Sequence, residues 1–495
     1  MDKNFLFRRQ FILSSNPEHK FENWGNINLD KNTFLSVHPD LEIVQSTKGE
    51  VQLTLLGFAV NPFEPDKSNQ QILDDIIKSS ISFDEVIRKS EPLGGRWIII
   101  YKNKNSLFIF NDPCSNRPVY YHTELGNDIL CGSDPAIMNY FVKLKKDNSP
   151  EIAEVMNHPG YEIKEKAWIG SFTIFKGVLH LMPNHFLDIR QKQVTRFWPW
   201  KPIENIDFNT AVETCSEILK GSITAISKRS KLAIAVTAGW DSRVMLAASK
   251  DISKEVTYFV SVKGTEKDNY FEVLIPKNLL KKLDLPFYIQ KCDDDIEPEF
   301  KKMIENNVSM SRTYLQKAKN IYKYHLDFDG MISVNGNISE IGRVCIRPLI
   351  PTKMSGENLV KLYIFNYGGN YFITQFNRWI DEIKIHCEQN NLNIYDMLYW
   401  EQRLGNWGSV YPAELDIAID QFSPFNNRLL LTTMLSVKEK FRKFPDYKLH
   451  YKIIQKLWPE TLQVPVGVRP LIAGTKDRIK HLVMDVLSAV PFIEK

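Results

Sequence analysis

Two hydroxyls, a glycine and a carboxylate crowd together at Thr237, Gly239, Asp241 and Ser242, directly after an apolar run. This combination suits an anion. Backbone N–H groups in a tight turn and the positive end of a following helix attract phosphate, hydroxyls add donors, and glycine lets the ligand come close. Asp241 would repel a bare phosphate, so it points to a bridging divalent cation, because Mg²⁺ is usually held by one or two carboxylates together with phosphate oxygens. The plainer alternative is an ordinary strand-to-helix turn with a capping Asp or Ser.

The neighbouring residues are of the kind that would position such a turn. Leu232 to Val236 are continuously apolar, as in a parallel strand covered on both faces, and Arg243 to Ser249 carry a helical pattern. Val256 to Val262 reads as a second strand, followed by an amphipathic helix to Leu283. A third strand, Met331 to Val334, runs into a loop from Asn335 to Arg343 whose one acidic residue is Glu340. Glu340 is a candidate second metal ligand beside Asp241, or equally a solvated loop residue.

The turn from Thr237 through Ala238, Gly239, Trp240 and Asp241 to Ser242 resembles the pyrophosphate loop Ser-Gly-Gly-Leu-Asp-Ser of the asparagine synthetase family. Four of its six positions are the same or chemically equivalent. Ala238 replaces the first glycine, which requires a negative φ there. The loop after the third strand is similar to the family's Ser-Gly-Glu-Gly-Ala-Asp-Glu-Leu-Phe-Gly-Gly, shortened, with Asn337 where the family has a glutamate and Ser339 where it has the metal-sharing aspartate. The resemblance implies nucleotide contacts at Val236, Thr237, Gly239, Asp241, Ser242, Val260 and Gly336, an Asp268 counterpart opening the second helix, and Asp241 and Glu340 on Mg²⁺. It assigns no other residue a catalytic role. The family lysine near the C-terminus has no counterpart in Leu462 to Gly467, which leaves Arg469 or Lys476 as substitutes.

The first 200 residues resemble the family's glutamine amidotransferase half, through Leu93 to Trp97, Asn111 to Tyr121 and Gly170 to His185. Further on, Tyr411 to Arg428 and Tyr451 to Pro459 are similar to C-terminal family segments. What is missing is the N-terminal cysteine nucleophile: position 2 is Asp2, and the first cysteine, Cys114, falls at an ordinary loop position. No glutaminase activity is expected.

The implied architecture is α/β. An Ntn-type α+β sandwich of antiparallel sheets (1–200) precedes a doubly wound parallel-sheet PP-loop domain, adenine nucleotide α-hydrolase-like (207–470), with extra C-terminal helices and a helical tail (471–495). Val51 to Leu56, Arg96 to Tyr101 and Ser106 to Phe110 are the clearest early strands, and Pro199 to Asp207 reads as a linker. The implied activity is that of an ATP-dependent carbon–nitrogen ligase forming AMP and pyrophosphate. It adenylates a carboxylate for attack by an amine, as in family members without the N-terminal cysteine: β-lactam synthetases, lasso-peptide cyclases and surface-polysaccharide proteins. The alternative is a catalytically degraded homologue acting as a nucleotide-binding or scaffold protein.

Composition fits a large enzyme. At 495 residues the chain exceeds one usual hydrophobic core, and 43% hydrophobic content with 29 phenylalanines supplies ample apolar mass. A formal charge of +4 spread along the chain favours neither nucleic acid nor a membrane surface as partner. The partners expected are small-molecule, peptide or sugar carboxylates and amines, with the oligomeric state open between monomer and homodimer. Lys438 to Lys448 reads as a solvated helix face. The six cysteines show neither zinc nor disulfide spacing, which also disfavours tRNA-modifying relatives, and no secretory or membrane-spanning run is visible, so a cytoplasmic location is expected. Tyr371, Phe376, Trp379, Tyr399 and Trp400 are candidate pocket aromatics, with core packing the plainer reading.

Overall fold

The computed structural model describes residues 5–163, 166, 168–264, 270–309, 314–348, 353–364 and 369–467. Asp2, Asp268, Arg469, Lys476 and the tail 471–495 lie outside the described residues.

Alternating hydrophobicity in the first part of the chain builds two six-stranded sheets. One runs in the order Val178–His180, Tyr120–His122, Leu130–Gly132, Phe11–Ser14, Thr33–Val37, Gly25–Asp30. The other runs Gln193–Arg196, His185–Asp188, Leu107–Asn111, Gly94–Lys102, Val51–Val60, Ile43–Lys48, and every pairing in both is antiparallel. Side chains of successive strand residues leave opposite faces. Ile98 and Ile100 therefore meet Phe11, Leu13 and Leu35 between the sheets. Trp97, Ile99 and Tyr101 instead face the helices Asn69–Ser79 and Phe83–Lys89. The helix Pro135–Phe141 packs on the outer face of the first sheet, giving a helix–sheet–sheet–helix sandwich.

The second part is doubly wound. Helix α1 (Phe208–Ser227) starts at Asp207, whose carboxylate accepts from the Asn209 and Thr210 amides at 2.9 and 3.0 Å. Strands β1 (Leu232–Ala235), β2 (Thr257–Lys263), β3 (Tyr288–Cys292), β4 (Ile332–Val334) and β5 (Asp420–Phe422) form a wholly parallel sheet in the order β3-β2-β1-β4-β5. Leu232 and Ile234 face α1, α2 (Trp240–Ala248) and α5 (Lys448–Leu457). Ala233 and Phe259 face the other layer, Pro298–Asn307 and α4 (Leu315–Phe328). Both faces are covered, which is why these strands read as apolar runs.

The two parts are welded by charge and by aromatic packing. Arg96 and Arg117, both buried, donate to Asp416 at 2.8 and 3.0 Å and also contact Asp420. Arg196 pairs with buried Glu401, which lies in a π-helical turn, Leu398–Gly408. Pro199 to Asp207, expected to be a linker, carries no helix or strand and is exposed at most positions; Ile203 tethers it, its amide donating to the Asn390 carbonyl at 2.9 Å, and just before it Trp198 is buried against Trp400, ring centroids 4.7 Å apart.

The basic stretch is solvated but not helical, and the five aromatics follow their plainer reading. Lys438, Lys440, Lys443 and Lys448 are exposed as expected, but on no helix face: only a short 3-10 turn, Glu439–Phe441, precedes α5 at Lys448, and Arg442 is buried and donates to Asp396 at 3.0 Å. Phe376, Trp379 and Trp400 are buried core, and Tyr371 and Tyr399 pack against that core. Among the described residues no helix is long and apolar enough to cross a membrane.

Candidate functional site

β1 is the central strand, and the turn 236–239 leaves its C-terminal end for α2. Val236 prolongs the pairing, its amide donating to the Phe259 carbonyl at 2.8 Å. The Ser242 hydroxyl then ties the turn together. It accepts from the Thr237 amide at 3.0 Å, lies 3.0 Å from Thr237 Oγ1, and stands 3.2 and 3.3 Å from the Thr237 and Gly239 carbonyls. Thr237 Oγ1 also accepts from the Gly239 amide at 3.2 Å. Ala238 keeps out of the left-handed region, so the missing first glycine costs nothing in backbone strain.

Gly239 caps α2 with φ −81°, a conformation any residue adopts. A Cβ there would meet only Thr237 Oγ1, at 3.5 Å. Little protein crowds this position, and glycine leaves it bare.

Two side chains that sequence reasoning missed complete this turn. Glu272, in the first turn of α3 (Phe271–Lys282), accepts from the Ala238 amide at 2.9 Å, so an internal carboxylate already sits where the turn offers an N–H to an anion. Arg343 donates to Asp241 Oδ2 at 2.9 Å and stands 3.5 Å from Glu340 Oε1. The Tyr447 ring lies beneath its guanidinium at 5.6 Å. Their only sequence signals are weak ones: an acid opening a helix, and an Arg three residues after a Glu.

The third loop comes close, as the sequence led us to expect. Gly336 packs so tightly that a Cβ would lie 2.6 Å from Asp241 Cβ, and the Ser339 hydroxyl donates to Asp241 Oδ1. Burial pushes the Asp241 carboxyl up against the opposing pull of Arg343. Glu340 is pushed up to about 7, first by burial and then by Asp241. Glu340 Oε2 and Arg343 Nε are buried without a partner.

Asp241 and Glu340 are thus brought together, but across a guanidinium. A Mg²⁺ ion demands near-octahedral oxygen ligands, and here both carboxylates share Arg343 while the third candidate position is a serine. With Arg343 seated between them, the two expected ligands form an ion-paired cluster rather than an open carboxylate pair.

Behind the turn, Arg243 is wholly buried and donates to the Thr461 and Val464 carbonyls at 2.6 and 2.7 Å. That anchors a segment whose Gly467 amide donates to the Ala238 carbonyl at 2.9 Å. Gly467 adopts φ +70°, and its Cα edge lies against the Trp240 indole. Val260 lies on β2 in a small apolar cluster with Val262 and Val273. In the antiparallel half, Cys114 is fully buried, its thiol pushed well up by burial and by Asp112, and its amide donates to Asn426. It is a packing residue.

No family model and no curated protein matches this sequence. Among solved structures, the chain is similar to a glutamine phosphoribosylpyrophosphate amidotransferase from B. subtilis complexed with ADP and GMP, at 10% identity over 61% of this chain and 65% of that one, TM-score 0.23. It is also similar to an NMN synthetase from Francisella tularensis and an NH3-dependent NAD synthetase from Campylobacter jejuni subsp. jejuni. Each is 10% identical over 40% of this chain and 94% of theirs, with TM-score 0.21. The chain thus spans somewhat under two thirds of the amidotransferase's length. Overlaps of this quality leave the chain's own residues to carry any functional reading.

Proposed function

We propose that this protein is an ATP-dependent amide ligase that forms AMP and pyrophosphate. The observation that carries the reading is the turn at Gly239, where a Cβ would meet only Thr237 Oγ1, at the N-terminus of α2 and the C-terminal edge of the central strand, flanked by the hydroxyls of Thr237 and Ser242. In open parallel α/β sheets, ligands bind at the carboxyl ends of the strands, and helix N-termini favour anions.

The chemistry this supports has two steps. A carboxylate oxygen of the substrate attacks the α-phosphorus of ATP, forming an acyl-adenylate while pyrophosphate leaves with the bonding pair. An amine then attacks the acyl carbon, AMP departs, and the nitrogen gives its proton to water. The N–H groups opening the first turn of α2 would hold the charge that develops on the departing pyrophosphate, with the hydroxyls of Thr237 and Ser242 keeping the turn in shape. In this reading Val236 and Val260 border the nucleotide base, Gly336 holds the third loop against the turn, and Asp241 positions neighbouring groups rather than coordinating magnesium.

The substrates are a small-molecule, peptide or sugar carboxylate and a separate amine. The antiparallel half is read as lacking glutaminase chemistry, since Cys114 is sealed and its thiol is held protonated. A cytoplasmic setting belongs to the same reading, in keeping with six cysteines that are all free.

One observation favours a non-catalytic nucleotide-binding or scaffold role instead: Glu272 and Arg343 already satisfy the anion and cation positions of the turn. Pyrophosphate release separates the two. Release from ATP that depends on an added carboxylate, and that falls at least about a hundredfold in Asp241→Asn, supports the ligase. ATP binding without release under a broad carboxylate panel supports the scaffold, and release unchanged by the substitution rules out the proposed site.

A further inference from the structure

We propose that Arg343 is the cation of this site: its guanidinium pairs with the inner phosphates of the nucleotide, so binding does not depend on a divalent ion held by the protein. This rests on the nucleotide reading above and deepens it.

The first support is position. Asp241 lies in the first turn of α2, beside the open N-terminus, and Arg343 reaches it at 2.9 Å from the far side of the third loop. A guanidinium held there lies beside the first turn of the helix whose end favours an anion.

The second support is the hold on the side chain. Arg343 is gripped by Asp241 on one side, by Glu340 at 3.5 Å on another, and by the Tyr447 ring at 5.6 Å. These contacts fix its orientation before any ligand arrives. A preorganised guanidinium loses little freedom on binding, and its planar fork matches two phosphate oxygens at once.

The third support is unused capacity. Arg343 Nε is buried with no partner, and so is Glu340 Oε2. Buried donors are rarely left unsatisfied, so Arg343 Nε retains bonding capacity that a further oxygen at this site would use.

The fourth support is charge. Asp241 alone would repel a triphosphate; paired with Arg343 it is neutralised, and Ser339 adds a hydroxyl where a second carboxylate would have strengthened the case for a metal. Asp241 and Glu340 therefore act as positioning residues for a resident cation.

The test is calorimetric titration of the full chain with ATP, in excess Mg²⁺ and in excess chelator. It compares wild type, Arg343→Gln and Arg343→Lys, with thermal melts verifying that each variant is folded. The expected result is a wild-type Kd that agrees within about threefold between the two buffers. Arg343→Gln should weaken chelator-phase binding by at least about tenfold, roughly 1.4 kcal/mol, and recover partly with Mg²⁺, while Arg343→Lys falls between. A wild-type affinity that collapses in chelator, with Arg343→Gln indistinguishable from it, overturns the inference and leaves the ligase reading standing. Absence of ATP binding in both buffers overturns the ligase reading and the inference with it.

Discussion

Gly336 approaches Asp241 so closely that a methyl group on it would lie 2.6 Å from both the Asp241 carbonyl carbon and its Cβ. The neighbour is backbone and the root of a side chain, neither of which yields as a flexible tip would. Gly336→Ala is therefore expected to push the third loop off the first turn of α2. Overpacking of this kind costs about 1–3 kcal/mol. Thermal melts should register that loss, and ATP titration should show a weakened site; unaltered binding would mean that the two segments do not act together.

Glu272 competes with any anion for the Ala238 amide. Glu272→Gln keeps an acceptor but removes the charge, so triphosphate affinity is expected to rise by about threefold to tenfold, the scale of roughly 1 kcal/mol. The gain should shrink at high salt, where screening weakens the original repulsion. A fall in affinity would instead make Glu272 part of the binding machinery.

Arg243 connects the motif helix to the chain at Thr461 and Val464. Burial pulls its pKa down to about 10, still far above neutrality, so it remains a charged donor. Arg243→Met is expected to cost about 1.5–3 kcal/mol for each charge-assisted bond lost, offset in part by the methionine's packing. Amide exchange should then speed up at Gly467 more than in β1.

The Arg196–Glu401 pair supplies a pH test. Burial alone would raise the Glu401 carboxyl, but the Arg196 guanidinium overrides it and holds the group at about 2. The folded value lies below the unfolded one, about 4.3, so the contribution is complete above that pH and is lost as pH falls towards about 2. Glu401→Gln should flatten this acid limb in urea titrations. At neutral pH it should cost about 3–5 kcal/mol, because Arg196 is left buried without its partner.

The central strands were legible because burial on both faces writes an unbroken apolar run, as in Leu232 to Val236. The sheet's edges were not. β3 interleaves Gln290 and Lys291 with apolar residues, and β5 is three residues ending an irregular stretch, so neither carries a period long enough to read. The basic stretch near Arg442 misled for a related reason. A cation looks the same in sequence whether water surrounds it or Asp396 does, and that partner lies 46 residues away.

Half of the candidate site was legible in the same sense. Thr237, Gly239, Asp241 and Ser242 announce themselves because an anion-binding turn needs those types locally, Gly336 was named only through the family resemblance, and the fold gathers all five. Glu272 and Arg343 do not, since their importance comes from where α3 and the third loop meet the turn in space. Arg343 is the clearest case: the sequence supplied two carboxylates, and the fold put a guanidinium between them.

The ionic weld at Arg96, Arg117, Asp416 and Asp420 also limits how the molecule can be dissected. A chain severed near residue 200 would leave one fragment with two stranded cations in a greasy wall and the other with two stranded anions, each lacking the charge that lets it stay out of water. Neither fragment can stand in for the whole at the bench, and mutations on the sandwich side will register at the distant parallel layer.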